Sequence, residues 1–389
     1  MGIASDYDHF APEFVTDPYA YWKSLREQDP VGRSDKYGGF NVISRYADVV
    51  EAAGDPERFS STDGDGIPPL PMIGMIPIDV DPPQQKKFRD ILNPALTVNQ
   101  AAKHEDRIRA LAISLIEPLV GQPRFDAAAA VAVPLSPRAT LGFIGFPEED
   151  WELMEKATND VTRLRGGDLE RVMEAGGEMM GSAIKLVEAR RKEAERDDLI
   201  SLMFSGEIDG RKLEDWECVQ MIAVLLFGAV DTTASAIAGS LFYLATHPEA
   251  QAELRAAGTI PNLALEELVR WTSPIQALGR TVKRDTELSG CPLHAGDRVL
   301  LHWGAGNRDE SVFEEPDVCR FDRKPNKHLG FGMGPHRCVG VHLGKLMLRV
   351  TLEEFLKRIP EFELAAPDEV EWVGGEARGI RKLELQLVG

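Results

Sequence analysis

A cysteine, an acid beside an alcohol, and a few arginines carry the chemistry this sequence can do. Cys338 stands in FGMGPHRCVG, residues 331–340, among Gly330, Gly332, Gly334, Pro335 and Gly340. The glycines and the proline break regular structure before it. After it, VGVHLGKLMLRVTLEEFLKRI has helical spacing, with Leu343, Met347 and Val350 on one face. A thiol where a loop enters a helix meets free backbone N–H groups and the positive end of the helix dipole. Both favour thiolate, the form that binds a metal. Gly340 leaves room for a flat group against the helix start. Asp231 and Thr232 lie in LLFGAVDTTAS, residues 225–235, in otherwise apolar surroundings. A buried acid beside a buried hydroxyl is costly unless used or well bonded, and such a pair can move protons. Glu267 and Arg270, in ALEELVRW, are three apart on a helix and can pair. Gln85 and Arg89 lie one helical turn apart in DPPQQKKFRDILNPAL, and Arg280 follows in ALGRTV. Either guanidinium can bind a carboxylate through charge-assisted hydrogen bonds.

These residues need elements to hold them. The apolar run from Asp215 to Thr246 predicts a helix of roughly 45 Å, enough to cross a whole domain, and His247-Pro248 stops it. Asp81-Pro82-Pro83 is a good helix start ahead of Gln85. From Asn99 to Pro248 the pattern is mostly helical. Short strand signals fall at Gly39–Ile43, at about 280–330 and in the final LELQLV. The loop from Asp63 to Pro77, DGDGIPPLPMIGMIP, is long and apolar enough to cover a pocket. With no linker or repeat, the chain reads as a single, mainly α domain over residues 1–389 with small β elements.

Composition narrows the function. The chain has 389 residues, 43% of them hydrophobic and 28% charged, which describes a globular protein with a sizeable core. Its four cysteines form no CxxC pair, which argues against a disulfide framework or structural zinc. A net charge of −19 argues against nucleic acid as a partner. The longest apolar run, MIAVLLFGAV, is about half a membrane span, and MGIASDYDHF does not read as a signal peptide. A cytoplasmic monomer is expected.

The stretch HLGFGMGPHRCVGVHLGK resembles the haem-binding loop of the cytochrome P450 family, FxxGxxxCxG, at Phe331, Gly334, Cys338 and Gly340. The resemblance runs through the whole chain, motif by motif in order. It implies the P450 fold, with haem b between a long distal helix and the proximal Cys loop, and Cys338 as the thiolate ligand of the iron. Phe331 would pack against the loop, and His336 would bond a haem propionate. Gly228-Ala229-Val230-Asp231-Thr232 is similar to the distal motif [AG]-G-x-[DE]-T, with Ala229 where the second glycine usually stands, so the oxygen groove is narrowed by a methyl. Asp231 and Thr232 would relay protons for O–O cleavage. Glu267 and Arg270 match the family's buried ExxR pair, which a downstream basic residue completes; here Arg320 and Arg323 are both placed to do so. Arg89 and Arg280 match propionate-binding arginines. Gln85, where many members carry His, resembles the camphor-hydroxylating branch.

The activity so implied is monooxygenation: one atom of O2 inserted into a small apolar substrate, terpenoid-like or aromatic, with hydroxylation the expected outcome. The pocket is expected to use Ile73, Met75 and Ile76 of the apolar loop, Val224, Phe227 and Gly228 of the distal helix, and Ile275, Ala277 and Leu278 before Arg280. The alternatives are a haem-thiolate enzyme that uses peroxide or catalyses a rearrangement, and a non-catalytic haem sensor. From Arg323 to Lys345 there are basic residues and no Asp or Glu, and Lys86 and Lys87 lie beside Arg89. A basic face on an acidic protein predicts docking of an acidic 2Fe–2S-type ferredoxin at Lys86, Lys87, Arg337 and Lys345.

Overall fold

A computed structural model describes residues 2–70 and 74–388 of the chain. The helices that frame the site are, in chain order, α1 (Gln84–Leu92), α2 (Val133–Ile144), α3 (Trp151–Arg163), α4 (Leu169–Arg190), α5 (Asp215–Thr246), α6 (Asn262–Thr272) and α7 (Val341–Arg358). The fold is mainly helical with small sheets, as expected from the sequence.

α5 has 32 residues and so runs about 48 Å. It starts in a capping box in which Glu214 and Glu217 bond each other's backbone N–H groups, and it stops at His247, where Pro248 opens the next helix. It packs against α2, α3, α4, α7 and the strand Gly379–Lys382. Its two halves serve different cores. Cys218, Val219, Met221, Ile222 and Leu226 pack with α2, α3 and α4, while Ala236, Ile237, Leu241 and Leu244 pack with α6 and α7. Residues 228–235 belong to neither core. The middle of the helix is thereby free to face a cavity.

The main sheet has five strands: β1 (Val31–Ser34), β2 (Phe40–Ile43), β3 (Phe59–Ser60), β4 (Leu278–Val282) and β5 (Arg298–Leu301), in the spatial order β1-β2-β5-β4-β3. β5 runs parallel to β2, with Leu300 opposite Val42, and antiparallel to β4, with Val299 opposite Arg280. This register places Arg280 on an inner strand. The start of the 63–77 loop is sewn to the sheet: Gly279 donates to the Asp65 carbonyl at 2.5 Å, and Arg298 Nη2 donates to the carbonyls of Gly64 and Gly66, both at 2.8 Å.

Among the described residues one helix, α5, is long and apolar enough to cross a membrane, and 72% of its most apolar window is buried inside the protein.

Candidate active site

A cavity of about 270 Å³ lies between the middle of α5 and the loop preceding α7. The loop makes one turn of 3-10 helix at Gly334–His336, and α7 begins at Val341 with Gly340 as its N-cap. Gly332 and Gly334 have φ of 67° and 71°, where a side chain would be strained. A Cβ on Gly334 would also lie 2.2 Å from the Ala53 carbonyl oxygen. Cys338 N–H donates to the Phe331 carbonyl at 2.8 Å, which closes the loop on itself. Cys338 is exposed to the cavity and enclosed by protein otherwise.

The thiol departs from the sequence-based expectation. Burial pushes its pKa up, and this outweighs the Gly340 N–H, Arg89 and Arg337, which pull it down. The cysteine sits ahead of the helix N-cap, so the dipole alone does not ionise it; a coordinating metal deprotonates a thiol outright.

α1 braces the same loop. Gln85 Nε2 donates to the Pro335 carbonyl at 2.6 Å, and Arg89 Nη1 donates to the carbonyls of Pro335 and Arg337 at 3.0 and 2.7 Å. Both side chains line the cavity, as do Arg280, Phe331, His336 and Gly340. Arg280 is buried, and Nη1 bonds the Gly279 carbonyl at 2.6 Å. His336 Nε2 is buried with no hydrogen-bond partner among the described residues. Burial, then the charges of Arg280 and Arg89, lower its pKa to about 3, so the imidazole is neutral at physiological pH.

On the α5 side Val224, Phe227, Gly228, Asp231 and Thr232 line the cavity. A Cβ built on Gly228 would meet nothing within 4 Å, so the helix is open to the cavity there. The Thr232 hydroxyl donates to the Gly228 carbonyl at 2.9 Å, the ordinary bond of a helical threonine to the residue four before it. Ser136 of α2 donates to the Ala229 carbonyl at 3.0 Å. Asp231 is held by Arg163, whose Nη2 lies 2.8 and 2.7 Å from the two carboxylate oxygens. Arg163 ends α3, and its Nη1 reaches the carbonyls of Val373, Gly374 and Ala377. It is the functional side chain that sequence reasoning missed, because nothing local marks an arginine 68 residues from its partner.

Ile275 and Leu278 line the cavity, but Ala277 does not. It is buried with Tyr7, Phe40, Val42 and Leu300 in a separate core. Met75 and Ile76 also fall outside the main cavity: Met75 lines a small neighbouring chamber, and Ile76 packs on the core of α2, α3 and α4. Ile73 lies outside the described residues.

Glu267 and Arg270 are fully buried. Arg270 Nε and Nη2 donate to the two Glu267 oxygens, both at 2.8 Å, and its Nη1 and Nη2 bond the carbonyls of Asn307, Pro316 and Val318. Between the two candidates for the third member, Arg323 is the one: its Nε lies 2.9 and 3.1 Å from the Glu267 oxygens. Arg320 offers only its backbone N–H, at 2.8 Å, while its side chain turns to Glu314 and Glu315.

The residues present fit a haem with a sulfur ligand. A thiol opens onto the cavity, Gly340 keeps a Cβ position 3.8 Å from its sulfur clear, and Arg89, Arg280 and His336, whose Nε2 has no partner among the described residues, line the same cavity.

The family model for cytochrome P450 matches residues 149–257 and 260–372. The chain belongs to the cytochrome P450 family. It is 32% identical over 409 residues to the putative cytochrome P450 126 of Mycobacterium tuberculosis, covering 99% of this chain and 97% of that one. It is 31% identical to the steroid C26-monooxygenase of Mycolicibacterium smegmatis, covering 88% and 86%. The solved structure of cytochrome P450 CYP109Q5 from Chondromyces apiculatus superposes with a TM-score of 0.87 at 31% identity, covering 99% of each chain. The protein is therefore a cytochrome P450 monooxygenase, and P450s bind haem b through a cysteine thiolate.

The P450 docking face expected from the sequence is largely neutralised. Lys86 pairs with Asp90 at 2.5 Å, Lys87 with Asp209 at 2.7 Å, and Lys345 with Glu266, which also takes His328. Asp209 and Glu266 come from other parts of the chain, whereas Asp90 lies one turn from Lys86 on the same helix. Arg337 alone of the four is exposed with no carboxylate partner among the described residues.

Proposed function

We propose that this P450 hydroxylates a small, mainly apolar organic molecule, terpenoid-like or aromatic, using O2 and two electrons delivered one at a time by an acidic 2Fe–2S-type ferredoxin in the cytoplasm. The observation that carries the reading is one cavity lined by Cys338 from the Cys loop and by Asp231 and Thr232 from α5, with Val224, Phe227, Ile275 and Leu278 between. Cys338 would supply the thiolate, and Arg89, Arg280 and His336 would hold the propionates. Bound there, haem b supplies oxygen activation and insertion. The side chains exclude water, hold the substrate and bring protons. Arg163 holds both oxygens of Asp231, and when that pair opens the carboxyl passes a proton into the cavity. Thr232, bonded backwards to Gly228, keeps its oxygen lone pairs free to accept from a guest in the cavity. The intact acid–alcohol pair favours O2 over peroxide as oxidant. The similarity to a steroid monooxygenase supports a rigid apolar skeleton as the substrate type.

With the lysines paired, the proposed ferredoxin contact rests on Arg337, whose own carbonyl is gripped by Arg89 next to the thiol. Reconstitution with a surrogate ferredoxin and reductase tests both parts. We expect oxygen uptake coupled to product, little turnover with peroxide alone, and a several-fold rise in ferredoxin KM in Arg337→Glu with a flatter salt dependence. Peroxide turnover equal to the electron-driven rate would favour the peroxide-using alternative. A KM indifferent to Arg337→Glu would move the docking face elsewhere.

A further inference from the structure

Beside the main cavity lies a second chamber of about 30 Å³, room for a water-sized group. Its walls include Asp65, Asp79, Arg165, Met75 and Phe227. Asp65 and Phe227 also line the main cavity, so the chamber adjoins the space above the Cys loop. An apolar pocket has no need of such neighbours. Arg165 is 3% exposed and pairs through Nη1 with Glu376, which is 1% exposed. Gly66 covers the pair so closely that any side chain there would collide with both. Arg165 Nε and Nη2, Asp65 Oδ2, Asp79 Oδ1 and Glu376 Oε2 are all buried with no hydrogen-bond partner among the described residues. Buried polar atoms left this way cost free energy unless something completes them.

We infer that the chamber is a subsite for a hydroxyl group carried by the substrate, remote from the carbon that is oxidised. This rests on the reading of the main cavity as the substrate site. The choice of group follows from what the walls lack. Arg165 offers donors and Asp65 and Asp79 offer acceptors, and a hydroxyl meets both at once. A carbonyl would satisfy the arginine alone, an ammonium the carboxylates alone, and a carboxylate would add a negative charge to three acids. Burial, then the charge of Asp65, pushes Asp79 up to about 7, and a hydroxyl bonds either form of that carboxyl. The substrate is thus an apolar skeleton with an alcohol at one end. Residues 64–66, held to the sheet by Arg298, fix one wall of the chamber.

Calorimetric titration of the holoenzyme with matched pairs tests this: menthol against p-menthane, and 1-dodecanol against dodecane. At least one alcohol should bind about tenfold tighter than its hydrocarbon, the scale of a hydrogen bond to a charged group. In Asp79→Leu that preference should vanish while the hydrocarbon still binds as in the parent. Arg165→Met/Glu376→Met removes the buried pair as a unit, a replacement proteins commonly tolerate, and should act the same way. Hydrocarbons that bind without any alcohol preference, or a preference that survives both variants, would overturn the subsite and leave the chamber to resident water. Failure of both classes to bind would overturn the cavity reading as well.

Discussion

Glu267→Gln should strongly destabilise the fold. The single Glu267 carboxylate receives Arg270, Arg323, the Arg320 backbone N–H and Asn326, and neither it nor Arg270 touches solvent. Burial pushes the carboxyl up, yet the bonds from Arg270 and Arg323 hold it below the ordinary range. Removing the charge strands two buried guanidinium groups, at a cost of about 3–5 kcal/mol. Folded domains have only about 5–15 kcal/mol to lose. Arg323→Gln should follow the same course. Arg320→Gln should change stability by less than about 1 kcal/mol, because its ion pairs are solvated. Urea unfolding of the three variants checks the ranking. A midpoint for Glu267→Gln close to the parent's would mean that the triad does not hold the haem-side fold together.

The second large effect concerns protons. Asp231→Asn should slow turnover by about a hundredfold, within the range of a lost acid–base group, since an amide does not pass a proton as a carboxyl does. Thr232→Ala should keep substrate affinity and oxygen uptake but divert electrons into hydrogen peroxide and water. Asp231 and Thr232 both line the cavity, yet their hydrogen bonds run apart, to Arg163 and to the Gly228 carbonyl. Their losses should accordingly differ in kind: rate for one, coupling for the other. Parallel measurement of oxygen consumed, peroxide released and product formed separates them. Thr232→Ala with parental coupling, or Asp231→Asn with parental rate, would remove that residue from the relay.

How much of this could be read from the sequence depended on distance along the chain. α5 was legible from end to end, because apolar periodicity and its terminal signals are local. So was the Cys loop, whose glycines and proline state their own backbone requirements. Pairings across the fold were not legible. The bases beside the cysteine looked like a free patch until Glu266 and Asp209 arrived from other elements. Arg163 could be matched to Asp231 only once the end of α3 was set beside α5. The choice between Arg320 and Arg323 turned on which way a short irregular segment points its side chains. Ala277 was assigned to the pocket with Leu278, but adjacent residues of an extended chain face opposite ways, and Ala277 packs with Tyr7 and Phe40 instead.

The central claim is that Cys338 is the thiolate ligand of haem iron, and the absorption spectrum of the reduced, carbon monoxide-bound protein tests it most directly. The parent should show the red-shifted band characteristic of thiolate ligation. Cys338→Ser, which keeps the loop's shape but removes the sulfur, should lose it, and Cys218, Cys291 and Cys319 are placed elsewhere than on the cavity wall. A Cys338→Ser protein that binds haem and keeps the red-shifted band would contradict the account.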